Sequence, residues 1–340
     1  MTGSNNAVPG TPALEVEDLH VHYSVRRGAF GHKAAVHAVD GVSLTVRQGE
    51  TLGLVGESGC GKSTLSRTLM LLESPQRGEV RLNGEPIDDV DRMRLRREIQ
   101  MIFQDPYESL PPHMSVRRII EEPLLIHRLA AGEKLRERVD RLLADVGLPL
   151  GVAHKRPGQL SGGQRQRVSI ARALSVEPSV LVADEAVSAL DVSVQAQILN
   201  LLKELQGRFG LSMLFVSHDI GVVSYLSHRV AVMYLGKIVE IGDAPQVINE
   251  PQHPYTRALM SAVPGLHRRR RERVEVVGSP PDPKDPPSGC PFHPRCPWAQ
   301  DICRVDLPAL RPTMSGQTAA CHFVGVDTEL TAPDQARRPA

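Results

Sequence analysis

Aromatic side chains are scarce: Phe, Tyr and Trp make up 4% of the 340 residues, with a single Trp. The core must therefore be mostly Leu, Val, Ile and Ala, and 41% apolar residues supply enough of it. A dominant charge is also missing. Forty Lys+Arg stand against thirty-nine Asp+Glu, which argues against a surface that grips nucleic acid over its whole extent. No run approaches the ~18 uninterrupted apolar residues that span a bilayer. The opening MTGSNNAVPGTPALEVEDLH has neither the basic start nor the apolar stretch of a secretory signal. The expectation is a cytosolic chain whose membrane role comes through a partner. Cysteine is nearly absent until late: Cys60 alone precedes Cys290, Cys296, Cys303 and Cys321. In a reducing compartment such a cluster favours metal over disulfides.

Residues 1–12 are small and polar and read as a disordered start. From 14 to 55 the runs LEVEDLHVHYSV, AVHAV, VSLTV and TLGLVG are strand-like. A helix pattern follows Lys62, Asn83-Gly84 signals a hairpin, and IQMIF reads as a strand. Residues 115–147 read as helical. Leu135, Val139, Leu142, Leu143 and Val146 share one face there, with Gly147 suited to the helix end. Residues 161–175 form another helix candidate. SVLVA and SMLFVS are buried-strand runs, and RVAVMYLGKIVEIG is a late hairpin turning at Gly236. Strands alternating with helices argue for an α/β core, interrupted near 105–170 by an inserted helical subdomain. The domain expectation is 13–250 for the core and 251–340 for an extension. Residues 251–297 hold eleven of the twenty-seven prolines and the run Arg268–Arg271, a linker-like composition. The Arg run reads as solvated linker rather than a nucleic-acid or lipid patch.

Gly56-Glu57-Ser58-Gly59-Cys60-Gly61-Lys62-Ser63 matches G-x-x-x-x-G-K-[ST] between a strand and a helix. Backbone N–H groups of such a loop converge on phosphate oxygens, and the helix N-terminus adds positive potential. Lys62 supplies a point charge, and Ser63 reaches Mg²⁺. SVLVADE ends a buried strand in Asp184-Glu185. The first carboxylate suits Mg²⁺ and the second suits a general base for water. Gln104 and His218 each follow a strand-like run. Taken alone, Gln104 is a loop amide and His218 a structural histidine. The remaining histidines read as ordinary. Leu160-Ser161-Gly162-Gly163-Gln164 offers a second anion site at a helix start without a lysine. Two phosphate grips in one chain make sense if they serve different ATP molecules in a head-to-tail pair, each ATP lying between Lys62 of one subunit and Ser161 of the other.

In this order the motifs resemble those of ABC transporter nucleotide-binding subunits, over about residues 14–325. The resemblance implies a P-loop ABC-ATPase core with a mixed sheet, an antiparallel β subdomain and a helical subdomain. It implies Tyr23 stacking on adenine, Ser58 to Thr64 and Gln104 around ATP and Mg²⁺, and Ser161 to Gln164 as the signature. It also implies Asp184 as the Walker B carboxylate, Glu185 as catalytic base, Ser188–Asp191 as the D-loop and His218 as the switch. FQDPYESLPPHMSV, DEAVSALDVSVQAQILNLL, HPYTRALMSAVP and GCPFHPRCPWAQDIC are similar to segments of oligopeptide/dipeptide importer ATPases. Ala186-Val187 and Pro111 depart from that pattern at positions that do not contact phosphate, and leave substrate and pairing open. The implied partners are a second ATPase subunit, by resemblance a paralogue, two membrane permeases and an extracytoplasmic solute-binding protein, with no nucleic acid. The implied place is the cytoplasmic face of the membrane. A nickel or other solute importer is the alternative. A soluble ABC ATPase acting on ribosomes or DNA fits worse, because there is one cassette and no long coiled coil.

Four thiols within thirty-two residues suit tetrahedral Zn²⁺ or a cubane iron–sulfur cluster. Closely spaced zinc knuckles are lacking, and the wide spacing suits the larger group. The resemblance implies a [4Fe–4S] cluster on Cys290, Cys296, Cys303 and Cys321, holding together a tail too proline-rich to build its own core.

Overall fold

The computed structural model describes residues 10–26, 33–262 and 278–324. The Arg268–Arg271 run and residues 1–9 of the expected disordered start lie outside them.

Five neighbouring strands form the parallel heart of the molecule: Ile99–Ile102, Val180–Asp184, Ser212–Ser217, Thr51–Val55 and Arg229–Tyr234, in that spatial order. Parallel strands covered on both faces read as continuous apolar runs, which is why TLGLV and SMLFVS show no alternation. Their side chains nonetheless divide with period two. Val55, Leu181, Ala183, Met213 and Phe215 join one apolar cluster. Leu52, Leu54, Val180, Val182 and Leu214 join the other. The strands Arg229–Tyr234 and Lys237–Asp243 form the expected late hairpin, turning through Leu235 and Gly236.

The second cluster lies between this sheet and a smaller antiparallel one, ordered Lys33–Val46, Leu14–Arg26, Arg77–Leu82 and Glu85–Pro86. Asn83-Gly84 makes the turn between the last two strands. The first cluster extends into the helices of the insertion. Residues 115–147 are two helices, Val116–Ile126 and Gly132–Asp145, rather than one. Arg128 at φ 53° and Gly132 at φ 59° break the run. Leu135, Val139 and Leu143 are buried as the periodicity predicts, and Leu142 is partly buried. The helix Gly162–Leu174 packs on both, and Arg172 ties it to the Ser109 carbonyl (2.8 Å) and Glu122 (3.1 Å).

The tail leans on the core. Two short strands, Arg311–Pro312 and Thr318–Ala319, extend the main sheet beyond Lys237–Asp243. Cys290, Phe292 and Cys303 are buried in the same apolar cluster as Tyr234 and Tyr255. Among the described residues no helix is long and apolar enough to cross a membrane.

Candidate functional site

The chemistry-bearing residues follow the carboxyl ends of four neighbouring parallel strands, where open α/β sheets bind ligands. After Thr51–Val55 the chain turns through the glycine-rich loop into the helix Lys62–Leu69. Gly61 sits at φ 109°, and a Cβ there would run into the Ala38 carbonyl. Ser58 and Gly59 are exposed at the loop tip, while Cys60 and Lys62 are buried. The Lys62 ammonium donates to the carbonyls of Gly56 (2.7 Å) and Glu57 (3.0 Å) and lies 3.7 Å from the Cys60 sulfur. The loop thus holds its own cation at its centre. The Cys60 N–H donates within the loop, to Glu57 O at 3.3 Å, and burial pushes its thiol pKa up. The Thr64 carbonyl accepts from Thr68 Oγ1 (2.9 Å).

Ser63 Oγ reaches to 3.4 Å from Asp184 Oδ1, at the end of the next strand but one. Two hard oxygens converging in this way are a donor set for Mg²⁺. Burial raises the Asp184 pKa, opposed by the Ser63 hydroxyl and assisted by Glu185. A divalent cation would offset that cost.

Glu185 adopts φ 48°, an unusual backbone for a side-chain-bearing residue. Its N–H donates to Val216 O (2.9 Å), and its carbonyl accepts from Ser188 N–H (3.0 Å). Gln104 Nε2 donates to Glu185 Oε2 at 2.9 Å, and His218 Nδ1 lies 3.2 Å from Oε1. Three residues separated by 81 and 33 positions therefore meet on one carboxylate.

The Ser161 motif stands apart from this group. Ser161 is exposed and caps Gly162–Leu174, accepting from Gln164 N–H (3.3 Å), while Gln164 Oε1 accepts from Ser161 N–H (3.1 Å). The reciprocal box satisfies the amides of Ser161 and Gln164. A Cβ on Gly163 would strike Val194, and one on Gly162 would touch Leu190 of the D-loop. Tyr23 pairs with Val36 across the antiparallel ladder and packs partly against the second apolar cluster.

The four tail cysteines line one pocket, closed by aromatic residues including Phe292 and Trp298. All four are unpaired thiols. Burial pushes Cys290 up to about 11, Cys296 up to about 12, and Cys321 upward as well. Gly289, at φ 65°, lets the chain pass against Cys303, whose carbonyl accepts from Cys290 N–H (2.8 Å).

Sequence reading missed what ties this pocket to the nucleotide loop. Arg295, next to Cys296, donates through both terminal nitrogens to Glu57, at 2.9 and 3.0 Å. The Tyr255 hydroxyl accepts from Glu57 N–H (2.9 Å). Tyr234, Tyr255 and Phe292 fill the space between, with ring centroids 4.6 to 5.4 Å apart. Buried Glu240 accepts from the backbone of Gln252 and His253, both at 2.8 Å, and so anchors the start of the tail. Burial holds the His253 pKa down, to about 3. An H-P-Y segment followed by C-P-F-H-P-R was the available signal, but nothing in it names Glu57 as the partner.

The family model described as ABC transporter matches residues 39–188. A second, described as the C-terminal region of oligopeptide/dipeptide transporters, matches 239–303. The oligopeptide transport ATP-binding protein AppF of Bacillus subtilis is 46% identical over 91% of this chain and 97% of its own length. The dipeptide transport ATP-binding protein DppF of Escherichia coli is 47% identical over 93% and 96%. Among solved structures, cbiO1 of Clostridium perfringens, part of the ABC transporter complex cbiONQ, is 31% identical with TM-score 0.62, covering 71% of this chain and 92% of that one. A dimeric ATP-binding cassette in a post-hydrolysis state with ADP and Pi is 30% identical with TM-score 0.60, covering 68% and 98%. The chain is an ABC ATPase, the ATP-hydrolysing subunit of a transporter. Within that class it belongs to the oligopeptide/dipeptide transport ATP-binding proteins.

Proposed function

We propose that this chain powers import of oligopeptides or dipeptides and works as one half of a head-to-tail ATPase pair. The observation that carries the reading is the convergence of Gln104 and His218 on the Glu185 carboxylate, beside the Ser63–Asp184 contact. Phosphoryl transfer needs little covalent help from a protein; it needs positioning and charge. Lys62 would exchange two carbonyl partners for phosphate oxygens. Ser63 and Asp184, with Gln104, would hold Mg²⁺, which neutralises charge on the phosphates when bound. Glu185, oriented from both oxygens, takes the proton from the attacking water. His218 stabilises the γ-phosphate, and Tyr23 stacks on adenine. The exposed Ser161 cap would complete the site of the companion subunit, a paralogue in this reading.

Exposed Phe103 and Tyr107, just after the sheet, suit contact with two permeases at the cytoplasmic membrane face. An extracytoplasmic binding protein would deliver the peptide. The cysteine pocket would hold a [4Fe–4S] cluster through Cys290, Cys296, Cys303 and Cys321. Four thiols line one pocket. Such a cluster supplies cross-linking of the tail and one-electron chemistry.

In the assembled transporter, Glu185→Gln is expected to bind ATP normally and to lose about 10²- to 10⁴-fold in hydrolysis. Near-normal turnover would overturn the assignment.

A further inference from the structure

The antiparallel pair Leu14–Arg26 and Lys33–Val46 carries side chains that the nucleotide chemistry does not use. His20 lies opposite Asp40 in the ladder, and His22 opposite His37. His20 Nδ1 stands 3.1 Å from Asp40 Oδ1, His22 Nε2 stands 3.6 Å from the same oxygen, and His37 Nδ1 stands 3.8 Å from it. One ligand atom from each of His20, His22 and Asp40 falls within 4.8 Å of the other two. A tetrahedral shell of nitrogen and oxygen ligands at about 2.0–2.2 Å places neighbours about 3.3–3.6 Å apart, so the group already stands near that spacing.

Two further observations point the same way. His22 Nε2 is shielded from solvent and finds no partner closer than Asp40 Oδ1 at 3.6 Å, a gap that a bound cation would fill. The outer contacts also match those that orient metal-bound imidazoles. The second nitrogen of His20, Nε2, lies 3.0 Å from Asp18 Oδ1. Lys237 holds the far oxygen of Asp40 at 2.6 Å and donates to its carbonyl at 3.0 Å, leaving Oδ1 toward the rings. A neutral His20 has one N–H for two carboxylate contacts; a cation at Nδ1 gives the other its positive partner.

We propose that His20, His22 and Asp40 bind a divalent first-row transition metal such as zinc, nickel or cobalt. Imidazole with carboxylate selects these ions, whereas Mg²⁺ and Ca²⁺ take oxygen shells. The ion braces the two strands one residue before Tyr23, at the edge of the adenine position and away from the cysteine pocket.

The test is a Co²⁺ titration of the full-length protein, followed by calorimetry and absorption. Wild type is expected to bind one equivalent without a sulfur-to-metal charge-transfer band, which separates this site from the tail thiols. His22→Gln and His20→Gln, read separately, are expected to weaken that binding by at least about 10- to 100-fold, the range seen even for orienting partners. Unchanged basal ATP hydrolysis shows that each variant is folded. No binding by wild type, binding at thiolates alone, or equal affinity in a folded variant overturns the proposal.

Discussion

The bidentate pair between Arg295 and Glu57 makes the grip of the tail on the nucleotide loop measurable. Arg295 is 8% exposed and Glu57 29%. Each charge-assisted hydrogen bond of this type contributes about 1.5–3 kcal/mol where both groups are shielded. Glu57 regains water when freed, so the pair's net coupling is smaller, about 1–2 kcal/mol. Arg295→Met keeps the packing stem and removes the fork. At 1.4 kcal/mol per tenfold, it is expected to weaken ATP binding by about 5- to 30-fold if the pair holds the loop in its binding shape. Glu57→Ala removes the same contact but also a negative charge and a side chain beside the loop, so its own effect is mixed. The double-mutant cycle separates the two. With a fluorescent nucleotide as the probe, the non-additive part should come to about 1–2 kcal/mol. Strict additivity, or unchanged affinity in Arg295→Met, would show that the tail sits on the loop without holding it.

Glu240 makes stability depend on pH in a defined direction. Burial lifts its pKa from 4.5 to about 7. Between those values the folded protein keeps a proton that the unfolded chain has lost, so this residue's contribution to stability falls as pH rises through the window. Glu240→Gln is expected to flatten that slope in denaturation curves; a slope matching wild type would refute the assignment. For the cysteine pocket, anaerobically purified protein is expected to contain iron and acid-labile sulfide in equal amounts, and Cys303→Ser to lose both. Wild-type protein with neither would refute the cluster.

The phosphate loop, the Asp184-Glu185 strand end and the Ser161 signature were legible in the chain because each is a local device. A glycine turn, a buried strand end and a helix cap are all specified within about ten residues. The parallel core was legible for a related reason: strands buried on two faces need uninterrupted apolar runs. The break between Val116–Ile126 and Gly132–Asp145 was less legible, since apolar periodicity continues on both sides of it. The tail strands, two residues each, carry no pattern of their own and form because Lys237–Asp243 offers them an edge.

The sequence by itself determined which groups could handle a nucleotide and where thiols would gather, because loop and cap chemistry is written over short spans. Only the tertiary structure decided that Gln104 and His218 share one carboxylate, that Arg295 reaches across 238 positions to Glu57, and that three histidines crowd Asp40. Those meetings depend on strand order and ladder register, which arise from burial of the whole core and leave no signature in the neighbouring residues.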